Sequence, residues 1–127
     1  YSSAIGKFLQ LRLQGKPLTI YGAGKQTRSF CYIDDVVDAN IRASTSSKIK
    51  GGEVINIGHQ KSYSINYLAK LIEGKKQYFP PRIGDILGTK ANITLAERFL
   101  GWQPKVDFDA GIAMTKAWFE KSQSDYI

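Results

Sequence analysis

Short β-rich runs alternate with amphipathic helical segments along the chain. In the first pair, apolar residues at helical spacing fill residues 4–14 and stop at Gly15, and the run from Leu18 to Tyr21 stops at Gly22. Apolar side chains three or four residues apart share one face of a helix, whereas a short β-branched run closed by glycines is typical of a strand. The alternation predicts a small, loop-rich, mixed α/β domain.

The remaining segments continue this pattern. We predict strands at residues 30–33 and 54–57, and helices at residues 36–44, after Ser64, at residues 94–100 and after Asp107. The helix starts carry capping signals: Asp34, Ser64 and Asp107 as N-caps, and Thr94 with Glu97 as a capping box. Residues 78–90 contain two prolines and two glycines, which predicts a loop.

Composition narrows the class of protein. A chain of 127 residues is about one domain, and 43% hydrophobic with 23% charged residues is typical of a globular protein. No apolar run approaches the roughly 18 residues of a membrane span, so no membrane partner is expected. The single cysteine, Cys31, has no partner for an internal disulfide. One cysteine and one histidine, His59, are too few to form a Cys/His zinc site. We therefore expect no metal and a reducing, cytoplasmic location.

The first residue, Tyr1, is not a methionine, and no signal-like segment follows it. We interpret the chain as a piece of a longer protein.

The net charge of +7 is unevenly distributed. Residues 1–33 hold five lysines and arginines and no acid, which favours a polyanion or a phosphorylated small molecule as partner. The basic residues are scattered singly, however, so a nucleic-acid-binding module is the weaker alternative.

Two glycine-rich loops could carry binding chemistry. Gly22 and Gly24 precede Arg28, and Arg82 stands beside Gly84 and Asp85. An arginine fork grips phosphate with parallel hydrogen bonds, so the two arginines would clamp a diphosphate if they converge, with Asp85 accepting from a sugar hydroxyl. The alternative is two ordinary turns with solvated cations. Neither loop has the spacing of a P-loop or of a Rossmann fingerprint.

Candidates for catalysis are weaker. Asp34 and Asp35 precede an apolar helical run, which favours a capping role over acid–base chemistry. His59 follows a predicted strand and is interpreted as a loop histidine, and Cys31 as a buried, inert thiol. No catalytic residue is predicted in this chain.

Six short sequence blocks, taken together and in their order along the chain, indicate a family more specifically than any single block does. Together they resemble the C-terminal part of the NAD-dependent nucleotide-sugar epimerase/dehydratase family, the extended short-chain dehydrogenases, over essentially the whole chain from Tyr1-Ser2-Ser3 onward. The blocks that carry the resemblance are Gly15-Lys16-Pro17-Leu18-Thr19-Ile20-Tyr21-Gly22, Gly24-Lys25-Gln26-x-Arg28-x-Phe30, Tyr32-Ile33-x-Asp35-Val36, Asn56-Ile57-Gly58, Arg82-x-Gly84-Asp85 and Leu100-Gly101-Trp102-x-Pro104.

The resemblance implies that residues 1–127 form the C-terminal nucleotide-sugar-binding domain, without the N-terminal Rossmann domain that binds NAD and supplies the catalytic groups. The expected parent is a homodimeric UDP-glucose or UDP-N-acetylglucosamine 4-epimerase. A nucleotide-sugar 4,6-dehydratase and a UDP-glucuronate decarboxylase are the alternatives. The isolated chain is expected to be inactive, to bind no NAD, and to expose apolar surface through which it self-associates.

The resemblance also implies roles for individual residues. Arg28 and Arg82 match the arginines that bind the diphosphate, and Asp85 matches the acid that binds the ribose. Thr19 and Tyr21 match the segment beside the uracil. Asn56 matches the asparagine of the family's Asn-x-Gly block, and Thr89 stands at a gate position that is small where N-acetylhexosamines are accepted. The chain departs from the common pattern at Ala23 and Ser29, where aspartate is usual, and at Ile83, where proline is usual. None of these changes removes a ligand-binding side chain.

Overall fold

The computed structural model describes residues 3–124 and is a small mixed α/β domain, as the sequence predicts. Tyr1 and Ser2, where the resemblance begins, lie outside the described residues. The elements within them are α1 (Ala4–Leu13), β1 (Leu18–Tyr21), β2 (Thr27–Arg28), α2 (Ile33–Thr45), β3 (Tyr63–Ser64), α3 (Ile65–Ile72), β4 (Lys76–Phe79), α4 (Thr94–Leu100) and α5 (Phe108–Ser124). Within residues 3–124, none of the helices combines the length and the apolar character of a membrane span.

The strands form two small sheets. β1 pairs in parallel with β4, with Leu18 opposite Lys76 and Tyr21 opposite Phe79. β2 pairs antiparallel with β3, and Thr27 also bridges to Gly88. The first sheet places the end of β1 beside the loop that follows β4.

The main hydrophobic core lies between β1 and helices α1, α3 and α5. Leu18 and Ile20 of β1 are fully buried, because alternate side chains of a strand point to the same face. The helices contribute Phe8, Leu9, Leu11, Ile65, Leu68, Ala69, Ile72, Phe108 and Ile112. This core holds β1 in place with Thr19 and Tyr21 on its other face.

A second core surrounds Trp102, which is 1% exposed. Its other buried members are Ala39, Ile93, Ala96 and Leu100. The indole Nε1 donates a hydrogen bond of 2.9 Å to the main-chain oxygen of Asp35, which ties the chain after α4 to the first turn of α2.

Several local predictions are confirmed. α1, β1 and α3 lie where apolar spacing and glycines placed them. The hydroxyl of Ser64 accepts the N–H of Tyr67 at 3.1 Å, as expected of an N-cap. α5 begins directly after Asp107, with Phe108 and Ile112 buried.

The strand predicted at residues 30–33 is wrong. The described strand is β2, which ends before it, and Ile33 already belongs to α2. The predicted cap Asp34 is wrong for the same reason: α2 begins earlier, its N-cap is Tyr32, and Asp34 lies in the first turn. An apolar run beside a helix start has a local pattern that fits either a strand or the first turn of the helix. In the structure this run leads into α2, which packs against α4.

The strand predicted at residues 54–57 is also absent from the described structure. Ile55 and Ile57 pack against the second core, whereas Val54 is 85% exposed. Alternating side chains therefore face in and out as in a strand, but no described strand pairs with this segment. A strand needs a partner for its backbone hydrogen bonds, which the sequence pattern alone does not supply.

Two further predictions need correction around α4 and β4. The capping box of Thr94 and Glu97 does not form: the N-cap of α4 is Ile93, and the hydroxyl of Thr94 donates to Asn92 Oδ1 at 2.7 Å. The loop predicted at residues 78–90 begins later, because β4 extends to Phe79 through its pairing with β1.

Candidate functional site

Backbone hydrogen bonds bring the two glycine-rich loops together. The N–H of Thr27 donates to the oxygen of Leu87 at 2.9 Å, and the N–H of Thr89 donates to the oxygen of Thr27 at 3.2 Å. These bonds lay the chain after β4 along β2. Arg28 and Asp85, which lie 57 positions apart in the sequence, thereby become neighbours.

Arg28 is held by three acceptors. Its Nη2 donates to Asp85 Oδ1 at 2.6 Å, and its Nη1 donates to the oxygens of Ile86 at 2.6 Å and Thr27 at 2.9 Å. The two side chains of the ion pair are 26% and 34% exposed, so the pair is partly shielded from solvent. Because a guanidinium has five N–H donors, Arg28 retains donors for an anion while its plane stays fixed.

Arg82 lies over the ring of Tyr21. Its Cζ is 3.6 Å from the ring centroid, the geometry of a cation–π contact. The Tyr21 ring also contacts Phe79, with 5.7 Å between the centroids. The end of the first sheet thus presents an aromatic surface with a cation on it.

The loop between β1 and β2 is rigidly held. Gly22 and Gly24 both adopt φ of +68°, a left-handed backbone that side-chain-bearing residues rarely adopt. A Cβ at Gly24 would collide with Asn66, whose Nδ2 donates to the oxygen of Ala23 at 2.8 Å. Glycine at this position therefore lets the loop rest on the start of α3.

Gln26 links this loop to the other side of the site. Its Nε2 donates to the main-chain oxygen of Tyr21 at 2.8 Å and, more weakly, to Asp85 Oδ2 at 3.4 Å. The carboxylate of Asp85 therefore lies between Arg28 and Gln26, which fixes its orientation.

These groups line one cavity of about 640 Å³. Thr19, Tyr21, Arg28, Arg82 and Asp85 are among the lining residues, so the structure brings together five of the seven residues that the resemblance implies. The others are Ser3, Ala4, Lys7, Phe8, Gln26, Ser29, Phe30 and Ile65. Three cations and one carboxylate among the lining residues make the cavity attractive to an anion.

The two remaining predicted residues lie outside the lining. Asn56 is an exposed residue of the segment before Gly58. Thr89 is exposed as well, and its hydroxyl accepts the N–H of Ser29 at 3.3 Å, so it supports the wall behind the cavity. Neither residue lines this cavity.

Sequence reasoning did not identify Lys7, Phe8 or Gln26 as site residues. Lys7 and Phe8 lie on α1, whose apolar stripe indicated only a core helix. Gln26 stands inside the motif from Gly24 to Phe30, but an uncharged side chain in a loop carries no strong chemical signal. Their proximity to the cavity depends on how α1 and the loop pack against β1.

Asp35, His59 and Cys31, the residues considered for catalysis, lie in surroundings that indicate structural roles. The Asp35 carboxylate is buried and accepts the N–H groups of Lys105 at 3.1 Å and Val106 at 3.0 Å. His59 Nδ1 accepts the N–H of Lys61 at 3.1 Å. Burial, and to a smaller extent the nearby charge of Asp35, raises the pKa of the half-buried Cys31 thiol, which disfavours the reactive thiolate.

Tyr21 and Lys25 have the Tyr-x-x-x-Lys spacing, which could indicate a catalytic pair. On a helix this spacing places two side chains on one face. Here it spans a strand end and a glycine turn, and Tyr21 lines the cavity whereas Lys25 does not. The pair therefore lacks the geometry of a catalytic couple.

The glycine-rich loop after β1 does not have the surroundings of a dinucleotide-binding loop. Within residues 3–124, Gly22 and Gly24 lead into β2 and not into a helix N-terminus, which is the element that receives a pyrophosphate in a dinucleotide fold. In the same part of the chain, no three His, Cys, Asp or Glu side chains are grouped to hold a metal ion.

Comparison with known proteins agrees with the geometry. A sequence profile described as the NAD dependent epimerase/dehydratase family matches residues 1–58. A UDP-glucose 4-epimerase of Mycolicibacterium smegmatis is 35% identical over 129 residues, covering 96% of this chain and 41% of that protein. A UDP-N-acetyl-alpha-D-glucosaminuronate decarboxylase of Bacillus cytotoxicus is 31% identical over 137 residues, covering 98% of this chain and 42% of that protein.

A solved structure extends the likeness to the fold. The UDP-glucuronic acid 4-epimerase of Bacillus cereus, in complex with UDP-glucuronic acid and NAD, superposes with a TM-score of 0.84 at 32% identity. The match covers 94% of this chain and 40% of that one. The chain thus spans about two fifths of the length of the relatives it matches. Motifs, fold and relatives together show that the chain belongs to the NAD dependent epimerase/dehydratase family.

Proposed function

We propose that this chain binds the nucleotide diphosphate of a UDP-sugar and is the substrate-binding part of an NAD-dependent UDP-sugar 4-epimerase. The observation that carries the proposal is that Arg28, Arg82 and Asp85 line one cavity with the open edge of β1. Two arginines match a diphosphate, and a carboxylate matches the hydroxyls of a ribose.

Binding of the nucleotide would serve a reaction that takes place elsewhere on the substrate. Energy from the remote, unreacting UDP can position the sugar for oxidation at C4 and for return of the hydride to the other face. The groups for hydride transfer and the NAD site would be supplied by another part of a longer protein. The chain alone would then bind UDP-sugars without converting them.

The first experiment is a calorimetric titration of the 127-residue chain with UDP and UDP-glucose. We expect Arg82→Ala to weaken binding of both by roughly tenfold to a hundredfold, since a charged hydrogen bond to phosphate is lost. Arg98→Ala is the matched control, because Arg98 is an exposed arginine of α4 that stacks on Phe99 away from the cavity. Equal affinities for both variants would contradict the proposal.

The same titration distinguishes a UDP-sugar-binding domain from a nucleic-acid-binding module. A module of that kind would bind an oligonucleotide with a steep dependence on salt and show no competition by UDP. Competition by UDP with a shallow salt dependence supports the substrate-binding function.

A UDP-sugar acid is the second candidate substrate class, either for a 4-epimerase or for a decarboxylase. Lys7 favours it, because it adds a third cation to the cavity lining and a uronate adds a carboxylate to the ligand. Comparing the affinities for UDP-glucose and UDP-glucuronate in the titration shows which of the two substrate classes, neutral UDP-sugar or UDP-sugar acid, binds more tightly. A tighter complex with UDP-glucuronate that Lys7→Ala weakens selectively would favour the acid.

A further inference from the structure

The two arginines of the cavity are held in different ways. Arg28 donates hydrogen bonds to the Asp85 carboxylate and to two main-chain oxygens. Arg82 is an exposed residue, and among residues 3–124 no acceptor takes a hydrogen bond from its guanidinium. The interaction that does hold it is with the ring of Tyr21. An aromatic face, and not a set of acceptors, therefore fixes the direction of Arg82.

The Arg82 guanidinium lies directly on the Tyr21 ring. The distance from Cζ to the ring centroid is 3.6 Å, about that of two carbon atoms in van der Waals contact, so the cation rests over the face and not beside the edge. The face of an aromatic ring carries partial negative charge and attracts a cation. This attraction uses none of the five N–H donors of the guanidinium, which stay available to an anion.

The ring that supports Arg82 stands on a well-held strand end. Tyr21 is the last residue of β1 and pairs with Phe79 of β4, and the centroids of the two rings are 5.7 Å apart. On the other side, Gln26 Nε2 donates to the main-chain oxygen of Tyr21 at 2.8 Å. The backbone of Tyr21 is thus fixed both by the sheet and by the loop that follows it.

The backbone that leads to Arg82 is restricted as well. Pro80 and Pro81 connect the end of β4 to Arg82, and the ring of each proline fixes its φ. A Cβ at Gly22 would lie 3.6 Å from Pro81 Cβ, so this segment packs against the residue that follows Tyr21. The Arg82 side chain therefore starts from a fixed point beside the ring, and contact with the ring restrains its remaining torsions.

We propose that Tyr21 is a positioning residue for Arg82, whose ring holds the guanidinium at the cavity before the ligand arrives. The inference rests on the proposed function, because it concerns an arginine that would bind the diphosphate. A long side chain loses rotational freedom when it binds an anion, and a side chain that is already held loses less. Removing the ring should therefore weaken binding although every donor of Arg82 remains.

The test is a double-mutant cycle on the affinity of the full 127-residue chain for UDP, measured by calorimetry. We expect Tyr21→Ile, which suits a strand and removes the ring, to weaken UDP binding by about threefold to tenfold. In an Arg82→Ala background the same change should alter the affinity by less than about twofold, because the side chain on which the ring acts is gone. Tyr21→Phe should bind UDP as the original chain does, since it keeps the ring.

A second variant and a matched control complete the experiment. Tyr21→Leu removes the ring with a side chain of different shape, which guards against a folding defect specific to Tyr21→Ile. Phe99→Leu is the control, because Arg98 Cζ lies over the Phe99 ring at 5.6 Å and neither residue lines the cavity. This change removes an arginine–aromatic contact elsewhere in the chain and should leave the UDP affinity unchanged.

The outcomes separate this inference from the proposed function. A loss in Tyr21→Ile and Tyr21→Leu that disappears in the Arg82→Ala background supports it. A loss of equal size in both backgrounds would mean that the ring acts on the ligand directly, and would overturn the inference. Unchanged affinity without the ring, or an equal loss in Tyr21→Phe or Phe99→Leu, would overturn it too. In all these cases UDP still binds and the proposed function stands, whereas failure of the original chain to bind UDP would overturn both.

Discussion

The sequence predicts one structural role for Asp35, and the structure shows another. Its place at the start of an apolar helical run predicts a helix-capping acid. The structure places it in the first turn of α2 and buries it, with its two carboxylate oxygens accepting the N–H groups of Lys105 and Val106. Its main role is therefore to fasten the segment before α5 to α2.

We predict that Asp35→Asn lowers the free energy of unfolding by about 2–3 kcal/mol, because the new amide N–H₂ would face a buried backbone donor. Asp34→Asn is the matched control: the same substitution at the exposed neighbouring acid should cost about 0.5 kcal/mol. Urea unfolding followed by tryptophan fluorescence measures both. Equal losses would mean that the helix start, and not the bonds to residues 105 and 106, accounts for the effect.

At the scale of elements, local signals were reliable where a helix or strand is also held by the core. α1, β1 and α3 follow from apolar spacing and from the cap at Ser64. The capping box of Thr94 does not form because Thr94 already lies in the first turn of α4, where the N–H of Glu97 donates to the main-chain oxygen of Ile93 at 3.0 Å. Residues 54–57 fail as a strand because the described structure gives them no strand to pair with.

The contact between the end of α3 and α5 should make stability depend on pH. Lys116 Nζ donates to Glu73 Oε2 at 2.7 Å and to the oxygen of Leu71 at 3.2 Å. The hydrogen bond from Lys116, and then its charge, lowers the pKa of Glu73. A carboxyl whose pKa is lowered by folding stabilises the fold above its unfolded pKa, and this contribution is lost as the pH falls through the folded value.

We therefore expect Glu73→Gln to lower stability at pH 7 and to reduce the loss of stability on acidification. Urea unfolding at pH 7 and at pH 3 measures the difference. In a Lys116→Met background the same Glu73→Gln change should have little effect on that difference. A persistent effect there would show that the pH dependence arises from other charges.

At the scale of the whole molecule, one helix face stands out. Ile33, Val37 and Ile41 lie four residues apart on α2 and are 61%, 48% and 60% exposed, while the opposite side of the helix buries Ala39. The amphipathic pattern that predicted α2 is correct, but within the described residues its larger apolar side chains face outward. Adjacent exposed apolar side chains of this size favour association.

We propose that the 127-residue chain self-associates through this face as its concentration rises. Light scattering over a concentration series should show an increasing average mass. Val37→Lys should shift the increase to higher concentration, whereas Leu95→Lys, at an exposed apolar position on α4, should not. A mass that stays monomeric at all concentrations would contradict the proposal.

The sequence by itself determined which segments form α1, β1 and α3 and which residue types suit a diphosphate, because these depend on side chains a few positions apart. Only the tertiary structure decided that Arg28, Arg82 and Asp85 line one cavity, that Asn56 and Thr89 do not, and that Gln26 holds the Tyr21 carbonyl. The physical reason is that these placements depend on backbone hydrogen bonds between distant segments, such as that from Thr27 to Leu87, which leave no local signature in the sequence.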